Sequence, residues 1–273
     1  MTLEEMKKVI SKDPETRNIE VPEVDIYKVY QYLLERDQKG AKNGYEPVLM
    51  TDPYIEIIYR PTKEKAIEIK REKIRQHLKF YDSEVYIQDA SLSRFEVFND
   101  ERQHAYEESL AFINEYRKDR YSKGIFFYGK NWTGKSYLLS AIAQELAEKN
   151  ISVLFVYMPD LVRSIKQGMN EGNLEERINQ LKQADVLMLD DVGGENMTPW
   201  FRDEILVPIM QYRLSAKLPV FMSSNYDFER LIDFLAVNKD EASLMKAARL
   251  IQRIKDLMTP IRLVKEQFKE KNT

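Results

Sequence analysis

Gly124-Ile125-Phe126-Phe127-Tyr128-Gly129-Lys130-Asn131-Trp132-Thr133-Gly134-Lys135-Ser136 decides how the rest of the chain is read. Its apolar run predicts a short buried strand, and Gly129 to Ser136 completes the pattern G-x-x-x-x-G-K-[ST]. From Tyr137 an amphipathic helix follows, carrying Leu138, Leu139, Ile142, Leu146 and Ala147. A strand, a glycine-bounded loop and a helix in this order suit an anion for a physical reason. Backbone N–H groups must turn inward, and Gly129 and Gly134 permit that close approach. The helix N-terminus adds unpaired donors and a favourable dipole. Gly129, Lys130, Asn131, Trp132, Thr133, Gly134, Lys135, Ser136 and Tyr137 are therefore the predicted nucleotide-contacting residues. Lys135 can reach the β- and γ-phosphates, and the Ser136 hydroxyl can ligate Mg²⁺. Binding of ATP or GTP is the expectation.

Downstream, a strand over 152–157 and helices over 159–166 and 174–181 lead to Val186-Leu187-Met188-Leu189, which runs directly into Asp190-Asp191. An uninterrupted apolar strand belongs to a parallel sheet covered on both faces, and carboxylates at its C-terminal edge stand where such sheets bind ligands. Asp190 is the predicted Mg²⁺ ligand. Asp191 is the candidate to polarise the attacking water, with Glu195 four residues on as the alternative. A strand over 218–223 ends at Ser224-Asn225, where Asn225 either holds the water or γ-phosphate or opens an Asx-turn before a helix over 226–235. A helix over 241–258 carries Arg249 and Arg253 at i,i+4 spacing, and 260–264 reads as a final strand.

Upstream the signals are weaker. Ile26, Val29, Tyr30 and Leu33 predict a helix over 24–36, residues 54–59 predict a strand, and a helix is expected over 63–79. Residues 60–79 hold eight Lys or Arg against three Glu, a solvated face or a contact surface for DNA or a partner. Residues 81–99 read as a linker and 101–117 as a helix. The expected organisation is a small, mostly helical accessory domain over 1–90, its linker starting near 81, followed by an ATPase domain over 91–273.

Composition bounds the function. Hydrophobic residues are 43% and charged residues 32% of the 273, enough for a real core and too apolar for a chain disordered throughout. A net charge of −3 gives no chain-wide attraction for nucleic acid and does not bear on a local DNA-binding groove. Cysteine is absent, which excludes disulfides, thiolate catalysis and Cys-based zinc sites. No apolar run is long enough to span a bilayer, and the charged opening Met1 to Lys8 predicts no secretory leader. A cytoplasmic protein without a membrane partner is expected.

The phosphate-loop stretch, Val186 to Glu195, Phe221-Met222-Ser223-Ser224-Asn225 and Ala247-Ala248-Arg249-Leu250-Ile251-Gln252-Arg253-Ile254 resemble, in order and spacing, the motifs of the ATP-dependent helicase loaders of bacterial replication. These belong to the AAA+ class, and the likeness is greatest to the primosomal loader of Gram-positive bacteria. Val29 to Leu33 and Tyr45-Glu46-Pro47 carry a weaker match. The resemblance implies an α/β fold, an AAA+ P-loop core whose parallel sheet is flanked by helices. It implies ATP and Mg²⁺ as cofactors, and slow turnover in isolation. Asn225 takes the first sensor position, and Arg249 and Arg253 match the family's arginine pair, Arg253 being the preferred trans-acting finger. Implied partners are the hexameric replicative helicase, gripped by the accessory domain, single-stranded DNA, other primosome proteins and further copies of the chain in a nucleotide-dependent assembly. Gram-positive relatives carry a cysteine-rich zinc site in the accessory domain, and no zinc is predicted where Cys is absent. A transposon-associated AAA+ ATPase and a non-hydrolysing, nucleotide-dependent adaptor are the competing readings.

Overall fold

The computed structural model describes residues 2–38, 43–80, 87–171, 173–194, 197–238 and 240–265. The chain forms two compact units, Met1–Glu72 and Lys73–Thr273.

In the first unit, helix α1 (Leu3–Lys12) opens with a capping box in which Thr2 and Glu5 exchange hydrogen bonds, satisfying donors the helix leaves free. A 3₁₀ turn (Glu23–Asp25) leads into α2 (Ile26–Asp37), so the helix expected over 24–36 begins in a tighter form. Strands β1 (Tyr45–Met50) and β2 (Glu56–Pro61) pair antiparallel. β2 is the strand expected over 54–59, displaced toward its C-terminal side. β1 has no alternating pattern to announce it, because pairing with β2 rather than its own periodicity holds it. Ile10, Ile26, Val29, Tyr32, Leu33 and Ile55 make the core of this unit. Arg36 ties α2 to the end of α1 through Asp13 at 2.6 Å and Glu15 at 2.9 Å, and that guanidinium lowers the Asp13 carboxyl to about 2. Helix α3 (Lys63–His77) begins in this unit, and the division between Glu72 and Lys73 falls within it; it is exposed along most of its length.

The second unit continues with β3 (Leu78–Phe80), α4 (Asp100–Glu115), β4 (Gly124–Tyr128), α5 (Lys135–Glu148), β5 (Val153–Tyr157), α6 (Met158–Glu171), α7 (Leu174–Gln183), β6 (Val186–Val192), a π-helical stretch (Phe201–Leu206), α8 (Val207–Ser215), β7 (Val220–Ser224), α9 (Phe228–Leu235), α10 (Glu241–Leu257) and β8 (Met258–Arg262). Six strands form one parallel sheet in the order β3-β5-β6-β7-β4-β8. Successive strand residues face opposite layers. Phe126 joins Leu189 and Met222 on one side, while Phe127 joins Leu139, Phe155 and Met188 on the other. Both rings are fully buried, which stabilises by about 2–3 kcal/mol each and explains why these strands are apolar without alternation.

The division at Glu72 and Lys73 lies earlier than the boundary expected near residue 90. The helix expected to reach 79 ends at His77, and Leu78 to Phe80 instead pair as β3 with Val153 to Phe155 at the sheet edge. Ala90, Leu92 and Phe95, inside the expected linker, are buried in the core of the second unit. Residues 81–86 of that linker lie outside the described residues. The helical segment from Phe201 to Ser215 has no counterpart in the sequence reading. Arg213 anchors it by donating to the carbonyls of Leu181, Lys182, Ala184 and Pro219, and burial lowers this guanidinium to about 9.

Candidate active site

Strand β4 lies between β7 and β8 and delivers the phosphate loop at the C-terminal edge of the sheet. The loop is tied down on both flanks: Leu263 N–H donates to the Tyr128 carbonyl at 2.8 Å, and Gly129 N–H to the Ser224 carbonyl at 3.2 Å. Gly129 is obligatory here, since its φ is +147° and a Cβ would stand 2.2 Å from the Leu263 carbonyl oxygen. Gly134, at φ +99°, forms the N-cap of α5. The Thr133 hydroxyl closes the loop on the Lys130 carbonyl at 3.0 Å. Trp132 projects from the tip, 87% exposed, with φ +64° in the left-handed region.

Lys135 is nearly buried, and its ammonium donates at 2.9 Å to the carbonyls of Gly129 and Lys130 and to Asn225 Oδ1. Burial pushes its pKa below the ordinary lysine value, against the pull of Asp190 and Asp191. The Ser136 hydroxyl donates to Asp190 Oδ1 at 2.9 Å, and the Ser223 hydroxyl donates to the same oxygen. Burial raises the Asp190 pKa, Ser223 and Ser136 oppose that shift, and Asp191 adds to it. Asp191 adopts φ +59°, its N–H donates to Ser223 Oγ at 2.9 Å, and Asn225 Nδ2 donates to its Oδ1 at 3.3 Å. The Tyr157 hydroxyl lies 3.5 Å from Asp191 Oδ2. The arrangement joins an ammonium, a hydroxyl, two carboxylates and an amide. A hydroxyl and a buried carboxylate on one point form the oxygen donor set that a hard divalent cation prefers.

The structure thus brings Lys135, Ser136, Asp190, Asp191 and Asn225 together, with Lys130, Asn131 and Thr133 on the rim of an adjoining cavity of about 340 Å³. Arg249 and Arg253 lie elsewhere, on α10. Arg253 donates to Gln211 on α8 at 2.7 Å, and Arg249 reaches the Met245 sulfur at 3.5 Å. Glu195, the alternative water-holding residue, lies outside the described residues. Motif reading passed over Ser223, although it stands inside a quoted stretch: one hydroxyl serves both acidic residues. Arg262, which the β4–β8 pairing sets beside Tyr128, and Arg230, on α9, also line the cavity beside Lys130, and neither belongs to a local motif. Among the described residues, no cluster of three or more acidic, His or Cys side chains is arranged to hold a metal. None of their helices is long and apolar enough to cross a membrane.

The family described as IstB-like ATP binding protein matches residues 57–256. The replicative helicase loader DnaI of Bacillus subtilis (strain 168) is 34% identical over 285 residues, spanning 96% of this chain and 91% of that protein. The replicative helicase loader DnaC of Escherichia coli (strain K12) is 28% identical over 150 residues, 54% of this chain and 60% of its own length. Among solved structures, a crystal structure of DnaI superposes with a TM-score of 0.65 at 37% identity, covering 69% of this chain and 98% of that one.

Proposed function

Because the chain belongs to the IstB-like ATP-binding family and matches a helicase loader along almost its whole length, we infer that it is a replicative helicase loader, an AAA+ protein that uses ATP to load the replicative helicase in replication initiation. The chain grips the hexameric helicase through residues 1–90, delivers it onto single-stranded DNA in the cytoplasm, and assembles with further copies of itself in a nucleotide-dependent way. Other primosome proteins are further candidate partners. The transposon-associated alternative is disfavoured by the 96% coverage of this chain in the match to a loader.

The observation that supports an ATPase site is the meeting of Lys135, Asp190, Asp191 and Asn225 at one strand edge. Loop N–H groups and the Lys135 ammonium receive the β- and γ-phosphates, replacing the carbonyl and amide partners that the ammonium now has. Ser136 and Asp190 are the residues that would hold Mg²⁺, which when bound supplies positive charge to the phosphate oxygens. Asp191, steadied by Ser223 and Asn225, accepts a hydrogen bond from the attacking water and takes up its proton as the new bond to the γ-phosphorus forms, the bridging bond to the β-phosphate breaks and ADP is the leaving group. Arg253, or Arg249 beside it, comes from a neighbouring copy to neutralise the developing charge. Loss of the γ-phosphate then loosens that interface and releases the helicase. Turnover of the isolated chain is slow because a neighbour's arginine is missing.

Pull-down of purified replicative helicase with and without ATP tests the reading. Retention by the full chain, changed by ATP, is expected. Capture of a transposase with no helicase retained would reject the loader assignment, and retention without turnover in the presence of helicase and single-stranded DNA would select the non-hydrolysing adaptor.

A further inference from the structure

Arg102 lies outside every motif, in the first turn of α4 behind the Asn99 cap, whose side chain accepts from the Arg102 N–H at 2.8 Å. Only 6% of it is exposed. Its guanidinium is held between two rings, 4.1 Å from the Phe95 centroid and 4.4 Å from that of Phe98. Nε donates to the Glu96 carbonyl at 2.5 Å and Nη1 to the Thr133 carbonyl at 2.6 Å. Burial lowers its pKa, which expresses the cost of keeping a cation here, and its hydrogen-bond acceptors are main-chain carbonyls rather than a carboxylate. A lysine could not make both contacts from one planar head.

One of those carbonyls belongs to the phosphate loop. We propose that Arg102 is a positioning residue for nucleotide binding: by holding the Thr133 carbonyl on the α4 side of the loop, it turns the Gly134 N–H toward the phosphates. A trans peptide is planar, so a C=O and the N–H that follows it point in opposite directions. Fixing the carbonyl against Arg102 therefore fixes the direction of the Gly134 donor. The same bracket limits the loop sterically, because a Cβ on Gly134 would stand 3.3 Å from the Phe95 ring and 3.5 Å from Arg102 Nη1. The loop is held there by residues 95–102, a segment with no glycine pattern or lysine of its own, which is why no phosphate motif includes it.

The inference rests on the nucleotide-binding reading of the site, and a parallel variant keeps the two separable. Arg102→Met retains an unbranched apolar stem between the rings and removes the donors. Arg102→Lys restores one donor. In the full chain, affinity for labelled ADP and ATP is measured with Lys135→Ala alongside, and thermal unfolding is followed without nucleotide. Arg102→Met is expected to weaken both ADP and ATP binding about tenfold, because the lost donor faces phosphates common to both. Turnover at saturating ATP should stay within about twofold, and Arg102→Lys should fall between Met and wild type. A purely structural arginine would lower the melting temperature and leave the folded protein's affinities unchanged, and that result overturns the proposal. Should Met fail to fold, the Lys variant decides by the same affinities. Wild-type affinity in Arg102→Met, or in Arg102→Lys where Met does not fold, together with weakened binding in Lys135→Ala rejects the role of Arg102 alone. Wild-type affinity in Lys135→Ala as well rejects the nucleotide site itself.

Discussion

Ser136 Oγ stands 2.9 Å from Asp190 Oδ1, although 54 positions separate the two residues in the chain. The hydroxyl comes from the start of α5 and the carboxylate from the end of β6, so this contact registers the phosphate loop against the acidic strand edge. It also helps to offset the cost of burying a carboxylate.

That cost leads to a first prediction. Burial raises the Asp190 pKa, so the folded protein holds this proton more tightly than the unfolded chain does. The penalty for the charged form is present at neutral pH and fades as pH falls through the folded value toward about 4. Asp190→Asn should raise the nucleotide-free melting temperature at pH 7 by about 2–4 °C, a gain that shrinks in acid. The same variant should lose Mg²⁺-dependent nucleotide affinity. Thermal scans in chelator across pH check the first part, and a melting temperature at or below wild type at pH 7 would contradict it.

Asp191 has a different task. Its carboxylate is oriented by Asn225 and its backbone by Ser223, and the expected role arises mostly in the transition state. Asp191→Asn should keep nucleotide affinity within about threefold while lowering helicase-stimulated kcat by at least about tenfold. Single-turnover hydrolysis and equilibrium binding separate the two quantities. Hydrolysis at the original rate would transfer the water-holding role to Glu195 or another group.

Arg202 and Asp203 give a stability prediction remote from the phosphates. Arg202 is almost fully buried, and Asp203 receives its Nε at 2.6 Å together with Lys246 at 2.8 Å, which lowers the Asp203 carboxyl to about 2. A carboxyl held below its ordinary value stabilises the fold above about pH 4, and the contribution is lost as pH falls toward 2. Asp203→Ala leaves a buried guanidinium without its counter-charge and should cost about 3 kcal/mol at pH 7. Urea unfolding at pH 7 and in acid tests this: the gap between variant and wild type should close in acid, and a constant gap would refute the assignment.

Arg253 is predicted to act across copies. In its own chain it bonds Gln211, on α8, rather than any phosphate-loop residue, so its removal leaves the local ATP site intact. Arg253→Ala should bind ATP normally while losing most stimulated turnover. Mixing it with Lys135→Ala provides one interface with both an intact loop and an arginine, and partial recovery of activity is the expected result. No recovery in a verified mixed assembly rejects action in trans.

The parallel sheet was legible because Phe126-Phe127 and Val186 to Leu189 carry their layers on both faces, a pattern that only a covered strand can hold. Lys135, Ser136 and Asp190 were legible because phosphate and cation chemistry admits few residue types. β3 was not, since Leu78-Lys79-Phe80 is three residues long and sits at the end of a helical pattern. Nor were Ser223 and Arg102, whose roles arise from bonds to groups 31 to 33 positions away, a distance at which local periodicity carries no signal. Arg213 was hidden for a related reason: its partners are carbonyls, which every residue possesses.

The seal between Gly129 and Leu263 has a consequence in time. All eight residues of the phosphate motif emerge together from the ribosome, yet the strand that flanks them, β8, and the carbonyl that crowds Gly129 are made more than a hundred residues later. Until that segment arrives, one side of β4 is an open edge and the loop lacks the Leu263 N–H that fixes its entry. Affinity for nucleotide should therefore appear late during synthesis, after β4 to β7 have collapsed, with β8 as the closing step rather than the motif that names the fold.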